Sequence, residues 1–302
     1  MKRRGAIILL TALAFSAGSA AAGDEGTRVV VLGTGTPVMD VDRAGPAIAV
    51  VTNGKAYLFD AGAGSVRRLH EAAEKFHMRE LNPPDICCVF FTHLHSDHTD
   101  DYPELVSTTW WWRKQPLQAY GPTGLARFTE AMKQMQDVDA QLRLASNQPI
   151  ASRGFPKVVA TEIHPGVVFD NDEIRIEAFA VNHGTIKPAF GYRIDTADRS
   201  IVISGDTAYS QTLVEQAQGV DLLFHEVASS KGLNALPPAW QTYHNEAHST
   251  TDVVAKVARQ AHPGKLVLYH ILFFGVSADA LRDEVRSGYD GDVVVASDLD
   301  LF

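Results

Sequence analysis

Four side chains able to bind a metal ion lie within six residues, in the segment His93-Leu94-His95-Ser96-Asp97-His98. The segment directly follows the apolar run Ile86–Thr92, which is typical of a strand buried on both faces. Burying four such polar groups without partners is costly, whereas a loop at the end of a strand can turn all of them toward one point. Imidazole and carboxylate ligands suit zinc and similar divalent ions. The segment therefore predicts a metal centre.

Three further residues of the same types follow apolar runs later in the chain: His183, Asp206 and His270. Seven ligands are too many for one tetrahedral ion but suit two ions that share a bridging carboxylate. Asp206 is the expected bridge, because a carboxylate has two oxygens. The predicted ligands are His93, His95, Asp97, His98, His183, Asp206 and His270. Other histidines are expected at the surface or in satisfied core positions: His70, His77, His164 and His262.

Two metal ions about 3.5–4 Å apart can hold a hydroxide and stabilise the leaving oxygen of a displacement. This predicts hydrolysis of an ester, amide, phosphoester or sulfate ester by a metal-bound hydroxide. The only two cysteines, Cys87 and Cys88, are adjacent. This excludes a disulfide framework and a cysteine-based zinc site, and both cysteines are expected to be core residues.

Aromatic residues lie near these motifs in the sequence. Trp110-Trp111-Trp112 cannot all point inward from a helix, so at least one should be exposed or line a cleft. An aromatic pocket beside two metals would suit an aryl ester, although the same residues could serve the core or a dimer contact. Its other candidate members are Trp240, Tyr243, Phe273 and Phe274. Lys187 and Arg113 could bind an anionic substrate, or could be solvated surface charges.

Short β-like runs alternate with helical runs in both halves of the chain, which predicts two packed sheets with helices outside. With 45% hydrophobic residues and no repeat or linker, residues 23–302 are expected to form one α/β domain. The predicted strands are Arg28–Gly33, Ala47–Thr52, Ala56–Asp60, Ile86–Thr92, Leu117–Tyr120, Val158–His164, Ile174–Asn182, Ala189–Asp195, Ser200–Ser204, Leu222–His225, Lys265–Tyr269 and Val293–Ala296. The predicted helices are Ala63–Phe76, Tyr102–Arg113, Tyr209–Ala217, Glu246–Ala261 and Ser277–Arg286, with one or two more between Gly121 and Pro156.

Residues 1–22 have a basic start, a short apolar core and a tail of small residues, which is typical of a secretory signal peptide. Its removal would change the net charge from −9 to −12, because the segment holds three basic and no acidic residues. We therefore expect a periplasmic or secreted protein that stays off the membrane. An acidic exported protein is an unlikely partner for nucleic acid, whose affinity comes mainly from phosphate contacts.

The motifs together resemble the metallo-β-lactamase fold hydrolases, over essentially the whole chain from Val29. The opening Leu32-Gly33-Thr34-Gly35-Thr36-Pro37, with HLHSDH, resembles the branch that holds ribonuclease Z and the zinc-dependent arylsulfatases. The resemblance implies a four-layer αβ/βα sandwich. It implies one zinc on His93, His95, His183 and Asp206. It implies a second zinc on Asp97, His98, Asp206 and His270.

The resemblance also implies catalytic roles for three residues. Asp97 would orient or deprotonate the attacking water. Phe224-His225-Glu226 and His248-Ser249-Thr250 are similar to motifs of the branch, in which His248 donates a proton to the leaving group and Glu226 holds it. The implied cofactors are two divalent metal ions, zinc by expectation, and a homodimer is implied as well.

Within this branch, ribonuclease Z carries a glycine-rich, basic arm that grips tRNA. The stretch between Gly121 and Pro156 instead mixes basic and acidic residues without a glycine or lysine excess: Arg127, Lys133, Arg143 and Arg153 against Glu130, Asp137 and Asp139. The expected function is hydrolysis of a small anionic ester, with an arylsulfatase-like sulfuric ester hydrolase first. The alternative is a phosphodiesterase or ribonuclease Z-like endonuclease.

Two other functions are weaker. A β-lactamase or lactonase would share the metals but is not expected to carry the Glu226–His248 pair. A periplasmic zinc-binding or storage protein would need the ligands but not His248.

Overall fold

The computed structural model describes residues 26–108, 110–147 and 157–302. The predicted signal peptide, residues 1–22, lies outside these ranges, as does Arg153. Export therefore stays a prediction. The homodimer also stays a prediction, because the structure holds a single chain. No helix within the described ranges is long and apolar enough to cross a membrane.

The first sheet has six strands in sequence order. The first three pair antiparallel, and the later pairs are parallel. Its strands are β1 (Arg28–Gly33), β2 (Ala47–Thr52), β3 (Lys55–Phe59), β4 (Cys88–Phe90), β5 (Leu117–Gly121) and β6 (Val158–Glu162).

The second sheet has seven strands, running from β13 in reverse sequence order to β7. The four strands from β10 to β13 pair parallel, whereas the pairs from β7 to β10 are antiparallel. Its strands are β7 (Gly166–Asp170), β8 (Ile174–Ala180), β9 (Phe190–Thr196), β10 (Ser200–Ile203), β11 (Leu222–Ala228), β12 (Lys265–Leu272) and β13 (Val293–Val295).

The helices cover the outer faces of the two sheets or lie in loops at the sheet edges. Short 3₁₀ turns occur at Arg79–Leu81 and Pro83–Asp85. The α-helices are α1 (Ser65–Phe76), α2 (Ser96–Thr99), α3 (Tyr102–Ser107), α4 (Leu125–Ala145), α5 (Gln211–Gln216), α6 (Ser230–Asn234), α7 (Pro238–Ala247), α8 (Thr251–Ala261) and α9 (Ala278–Arg286).

Three apolar clusters establish the layer order. One cluster joins α1, α3 and α4 to the first sheet, and includes Leu69, Leu105 and Leu125. A second lies between the sheets. The third joins α5, α8 and α9 to the second sheet. The predicted four-layer αβ/βα sandwich is therefore confirmed.

All twelve predicted strands are present, with small shifts at their ends, but strand β7 and helices α2, α6 and α7 were not predicted. The predicted helix Tyr102–Arg113 ends at Ser107 in the structure. Strand β7 lies at a sheet edge and is largely open to solvent, so its apolar pattern is weak. Helix α7 was missed, and the predicted helix Glu246–Ala261 is wrong because the chain is extended at His248. There Thr250 bridges to Ala228, and the Ala228 N–H donates to the Ser249 carbonyl at 2.9 Å. These tertiary hydrogen bonds override local helical propensity.

Candidate metal centre and active site

The seven predicted ligands come together at one edge of the two sheets. His93 and His95 follow β4, and the short helix α2 carries Asp97 and His98. The other three come from the second sheet: His183 after β8, Asp206 after β10, and His270 within β12. All are buried except His95, which is partly exposed.

Two local irregularities aim the ligands of the second sheet. In β12, Tyr269 and His270 lie opposite the single residue Glu226 of β11, and His270 has φ 44°. This is a β-bulge, which re-aims a side chain at the cost of a ladder contact. Gly205 precedes Asp206 with φ 60°, and a Cβ there would lie 2.4 Å from the Phe190 carbonyl oxygen. Only glycine fits that position.

One set of ligand atoms gathers around His95. Its Nδ1 lies 2.9 Å from His93 Nε2 and 3.3 Å from His183 Nε2. Asp206 Oδ2 lies 3.9 Å from His93 Nε2 and 3.8 Å from His183 Nε2. These four residues are the set that the family resemblance implied for one metal.

The second set gathers around His98 and His270. Asp97 Oδ2 lies 3.6 Å from His98 Nε2 and 3.8 Å from His270 Nε2. Asp206 Oδ1 lies 3.3 Å from His98 Nε2, and Oδ2 lies 3.1 Å from His270 Nε2. Asp206 thus contacts both sets, as expected of a bridging carboxylate.

The atoms of each set are spaced as ligands of one ion would be. Zinc–nitrogen bonds of 2.0–2.1 Å in a tetrahedron place neighbouring ligand atoms about 3.3–3.4 Å apart. His98 Nε2 and Asp206 Oδ1 are also buried without a hydrogen-bond partner among the described residues. Unsatisfied buried polar atoms are costly, and a bound cation would satisfy both. The residues therefore fit a divalent metal.

Three of the histidines have their other ring nitrogen bound to an acceptor. His183 Nδ1 lies 2.8 Å from the carbonyl oxygen of Ala247, and His270 Nδ1 lies 2.7 Å from the carbonyl oxygen of Gly35. In His98 it lies 2.8 Å from the Asp60 carboxylate. Because these oxygens only accept, Nδ1 carries the proton and Nε2 is free to bind a metal.

Asp60 is one functional residue that the sequence analysis does not identify, because its pattern predicts only the end of a strand. It is buried and also accepts from the Thr92 backbone N–H at 2.8 Å and from Thr92 Oγ1 at 2.9 Å. A signal was available, because Asp60 directly follows the apolar strand β3, as the ligands follow theirs. Asp60 fixes the ring of His98 and the loop that leads to His93.

The predicted Glu226–His248 pair forms next to the ligand set. Glu226 Oε1 lies 3.2 Å from His248 Nδ1 and also accepts from the backbone N–H groups of Thr207 and Ser249, at 3.0 and 3.1 Å. His248 Nδ1 lies 3.9 Å from Asp206 Oδ2, so His183, Asp206 and His248 also cluster. Because Glu226 engages Nδ1, Nε2 is the nitrogen that His248 has left for other partners.

The charges of the cluster shift its pKa values in opposite directions. Burial, reinforced by the positive charge of His98, holds the pKa of His93 well below its usual range. Burial works to raise the pKa of Asp206, but His270 and His98 outweigh it and hold this pKa well below its usual range. These shifts favour neutral imidazole in His93 and ionised carboxylate in Asp206, which are the forms that bind metals. Burial works to lower the pKa of His98 and of His270, but neighbouring carboxylates, Asp206 foremost, outweigh it and raise the pKa of both, so a metal bound there would displace their protons.

Burial alone would lower the pKa of His248, but the carboxylate of Glu226 outweighs it and raises this pKa to about 9. A bound divalent cation would act against this rise. Burial, together with repulsion from His248, lowers the pKa of His244 to about 4.

A cleft of about 570 Å³ opens above the cluster, and its lining includes His95, Asp97, Asp206, His248 and His270. The predicted aromatic wall is confirmed: Trp240, Tyr243, Phe273 and Phe274 all line this cleft.

The run Trp110-Trp111-Trp112 lies outside this cleft. Trp110 is buried and Trp112 is 65% exposed, as the sequence required of at least one, but none of the three lines the cleft. The four histidines expected to be uninvolved (His70, His77, His164 and His262) are exposed.

Neither of the two candidate substrate anchors lines the cleft. Lys187 is exposed elsewhere. Arg113 donates to the carbonyl oxygens of Ile86 at 2.5 Å and Pro83 at 2.8 Å, which is a structural role. Among the described residues, Arg43 is the lysine or arginine that lines the cleft, stacked 4.9 Å above the ring of Phe273. Sequence reasoning missed it because its loop becomes part of the cleft only through the fold.

The β-lactamase superfamily domain matches residues 55–271 of the chain. The chain belongs to this superfamily. Ribonuclease Z of Mycobacterium sp. (strain KMS) is 34% identical over 249 residues, covering 81% of this chain and 84% of the relative. Ribonuclease Z of Mycolicibacterium gilvum (strain PYR-GCK) is 31% identical over 278 residues, covering 90% and 94%. The resemblance to the ribonuclease Z branch is therefore confirmed.

Solved structures share the fold of this superfamily member. The metallo-β-lactamase fold protein YhfI from Bacillus subtilis has a TM-score of 0.70 at 17% identity, covering 91% of this chain and 98% of that one. Human tRNase Z, short form, has a TM-score of 0.66 at 24% identity, with the same coverage.

The superfamily match and the ribonuclease Z relatives confirm the prediction that this chain is a metal-dependent hydrolase of ester bonds. They contradict the expectation that nucleic acid is an unlikely partner, because ribonuclease Z is by name an enzyme of RNA. That expectation rested on net charge and on a signal peptide. Net charge describes the whole surface and says little about one cleft.

Proposed function

We propose that this chain is a metal-dependent endonuclease that hydrolyses phosphodiester bonds in RNA. The observation that carries the proposal is the Glu226–His248 pair beside the ligand set, in a chain 34% identical to a ribonuclease Z. Hydrolysis of an RNA phosphodiester expels a sugar oxygen, which needs a proton as it leaves. A positioned acid therefore suits this bond.

The ligand set fits two divalent ions, with zinc as the expected metal. Bound there, they would supply Lewis-acid activation of water and stabilisation of charge on the leaving oxygen. One ion would be held by His93, His95, His183 and Asp206, and the other by Asp97, His98, Asp206 and His270.

Asp97 and His248 are assigned the two proton transfers of the reaction. Both line the cleft, and the carboxylate of Asp97 can orient the attacking water and accept its proton. His248 delivers a proton from Nε2 to the leaving oxygen, because its Nδ1 is held by Glu226. Glu226 is a positioning residue that also favours the protonated imidazole.

A second candidate function is hydrolysis of an aryl sulfate, the first expectation from the sequence. The aromatic cleft favours it, because Trp240, Tyr243 and Phe273 could contact an aryl group. The comparisons give this function no separate support.

Initial rates on three substrates separate the two candidates: an RNA hairpin with a single-stranded 3′ extension, bis-nitrophenyl phosphate, and nitrophenyl sulfate. Metal-loaded and chelated protein are compared on each. Chelator-sensitive cleavage of the RNA, with little sulfate turnover, is the expected result. Dominant sulfate turnover with intact RNA would overturn the proposal in favour of the arylsulfatase.

A further inference from the structure

Three aromatic rings of α7 and one from the loop after β12 form a continuous surface in the cleft. We name Trp240, Tyr243, His244 and Phe274 the aromatic shelf. The rings of Trp240 and His244 stack with centroids 5.8 Å apart and planes 25° apart. Tyr243 stands nearly perpendicular to Trp240, and Phe274 lies 4.9 Å from His244.

Two rings of the aromatic shelf are exposed to solvent, unlike aromatic rings that pack in a hydrophobic core. Trp240 is 56% exposed and Tyr243 is 47% exposed, and both line the cleft that holds the ligand set. Positions 240, 243 and 244 share one helical face, which therefore presents its rings toward the cleft. Exposed aromatic faces beside a catalytic cluster are the usual platform for stacking a planar group.

A buried polar atom accompanies the rings. His244 is 9% exposed, and its Nδ1 has no hydrogen-bond partner within the described part of the chain. Buried ring nitrogens are normally satisfied, so this atom is an unpaired polar position behind the exposed rings. A planar ligand such as a nucleobase could stack on the exposed rings of Trp240 and Tyr243.

The cleft offers few protein cations for phosphate contacts. Arg43 is the one lysine or arginine among its described lining residues, and Asp97 and Asp206 are predicted metal ligands. Phosphate contacts would thus be left to Arg43 and to bound metal ions, and stacking on the rings is the further contribution that the cleft can make.

The shelf lies on the side of the proton donor. The ring of His244 is 5.4 Å from that of His248, and the ring of Tyr243 is 6.5 Å from it. Because His248 serves the leaving oxygen, a base on the shelf belongs to the nucleoside that carries this oxygen. We propose that the aromatic shelf stacks the nucleobase on the leaving-oxygen side of the scissile phosphate, an inference that rests on the proposed function.

The test compares Trp240→Ala and Tyr243→Ala with Trp112→Ala, because Trp112 is a similarly exposed tryptophan outside the cleft. The ends of the RNA products first identify which nucleoside carries the leaving oxygen. On intact RNA, kcat/KM should fall about 5- to 150-fold in each shelf variant, and Trp240→Phe should retain most of it. With an abasic nucleotide at the leaving position, wild type and shelf variants should differ by less than twofold. Equal losses on intact and abasic RNA would overturn the proposal.

A binding measurement distinguishes failure of the shelf from failure of the proposed function. Adenosine monophosphate is titrated into chelated protein while tryptophan fluorescence is followed, with Trp240→Phe and Trp112→Phe as the pair of variants. Quenching that is lost only in Trp240→Phe supports the shelf, even if the metal-loaded protein leaves RNA uncut. Absence of saturable quenching in the wild type overturns it.

Discussion

Replacing Asp60 with asparagine tests whether a buried carboxylate sets the metal affinity. Asp60 accepts from Thr92 N–H, Thr92 Oγ1 and His98 Nδ1, at 2.8–2.9 Å. An asparagine oxygen can still accept from Thr92, but its amide then presents a donor to His98. The imidazole would have to accept at Nδ1, and its proton would move to Nε2, the atom expected to bind metal.

The expected loss is about 10- to 100-fold in zinc affinity, the usual effect of removing such an outer carboxylate. This corresponds to about 1.4–2.7 kcal/mol of binding free energy. Competition against a chromophoric chelator measures the affinity of folded, metal-free protein. Circular dichroism and thermal unfolding of the same sample establish that Asp60→Asn is folded.

Asp221→Asn is the matched control. Asp221 accepts from the backbone N–H and the hydroxyl of Ser200, at 2.8 and 2.7 Å, much as Asp60 accepts from Thr92. It is exposed and holds no histidine. Its variant should bind zinc as the wild type does. Zinc affinity within twofold of wild type in folded Asp60→Asn would refute the reasoning.

Four further outcomes are expected. His248→Ala should keep its metal content, measured by elemental analysis, while kcat on RNA falls about 10²- to 10⁴-fold; unchanged turnover would remove His248 as the acid. Glu226→Gln keeps an oxygen for Thr207 and Ser249 but loses the charge that raises the pKa of His248. Because the acid works only while protonated, the fall in rate with rising pH should begin at lower pH in this variant; a profile that stays in place contradicts the role of Glu226. Chelation should lower Tm, since metal binds the folded state, and zinc should restore it; an unchanged Tm would argue against a metal site. Arg113→Ala should lower the free energy of unfolding by about 1–3 kcal/mol and leave kcat unaltered, because the Arg113 side chain donates to backbone carbonyl oxygens. A loss of activity without a loss of stability would instead indicate that Arg113 binds the substrate.

Most of the fold could be predicted because its core strands are short, continuous apolar runs. The strands Arg28–Gly33 and Ala47–Thr52 have the predicted ends, and both are almost wholly buried. Strand β7 could not be found this way, because all five of its residues are at least partly exposed and it has no buried apolar run. Helix α7 contains two exposed aromatic residues, Trp240 and Tyr243, so its pattern is not that of a helix packed on a core.

The ligand set could be predicted for a similar reason. Metal-binding side chains placed directly after apolar strands meet at one sheet edge whatever the details of the loops. The sequence left Lys187 and Arg113 open as substrate anchors or surface charges, because a single charge, unlike a ligand cluster, does not indicate what it contacts. Arg113 proved to bind carbonyl oxygens within the fold.

The extended segment at His248 shows why position, and not residue type, completes the site. By sequence, the run from Glu246 to Ala261 has the pattern of one helix. The fold breaks it, because Ser249 donates to Glu226 at 3.1 Å and Thr250 bridges to Ala228. In an uninterrupted helix, the Ser249 N–H would donate to a backbone carbonyl of the preceding turn, and Glu226 would lose this hydrogen bond. The same break aligns His248 with Glu226 and ends α7 where its aromatic face meets the cleft. Proton donor and aromatic shelf therefore depend on one interruption of helical structure.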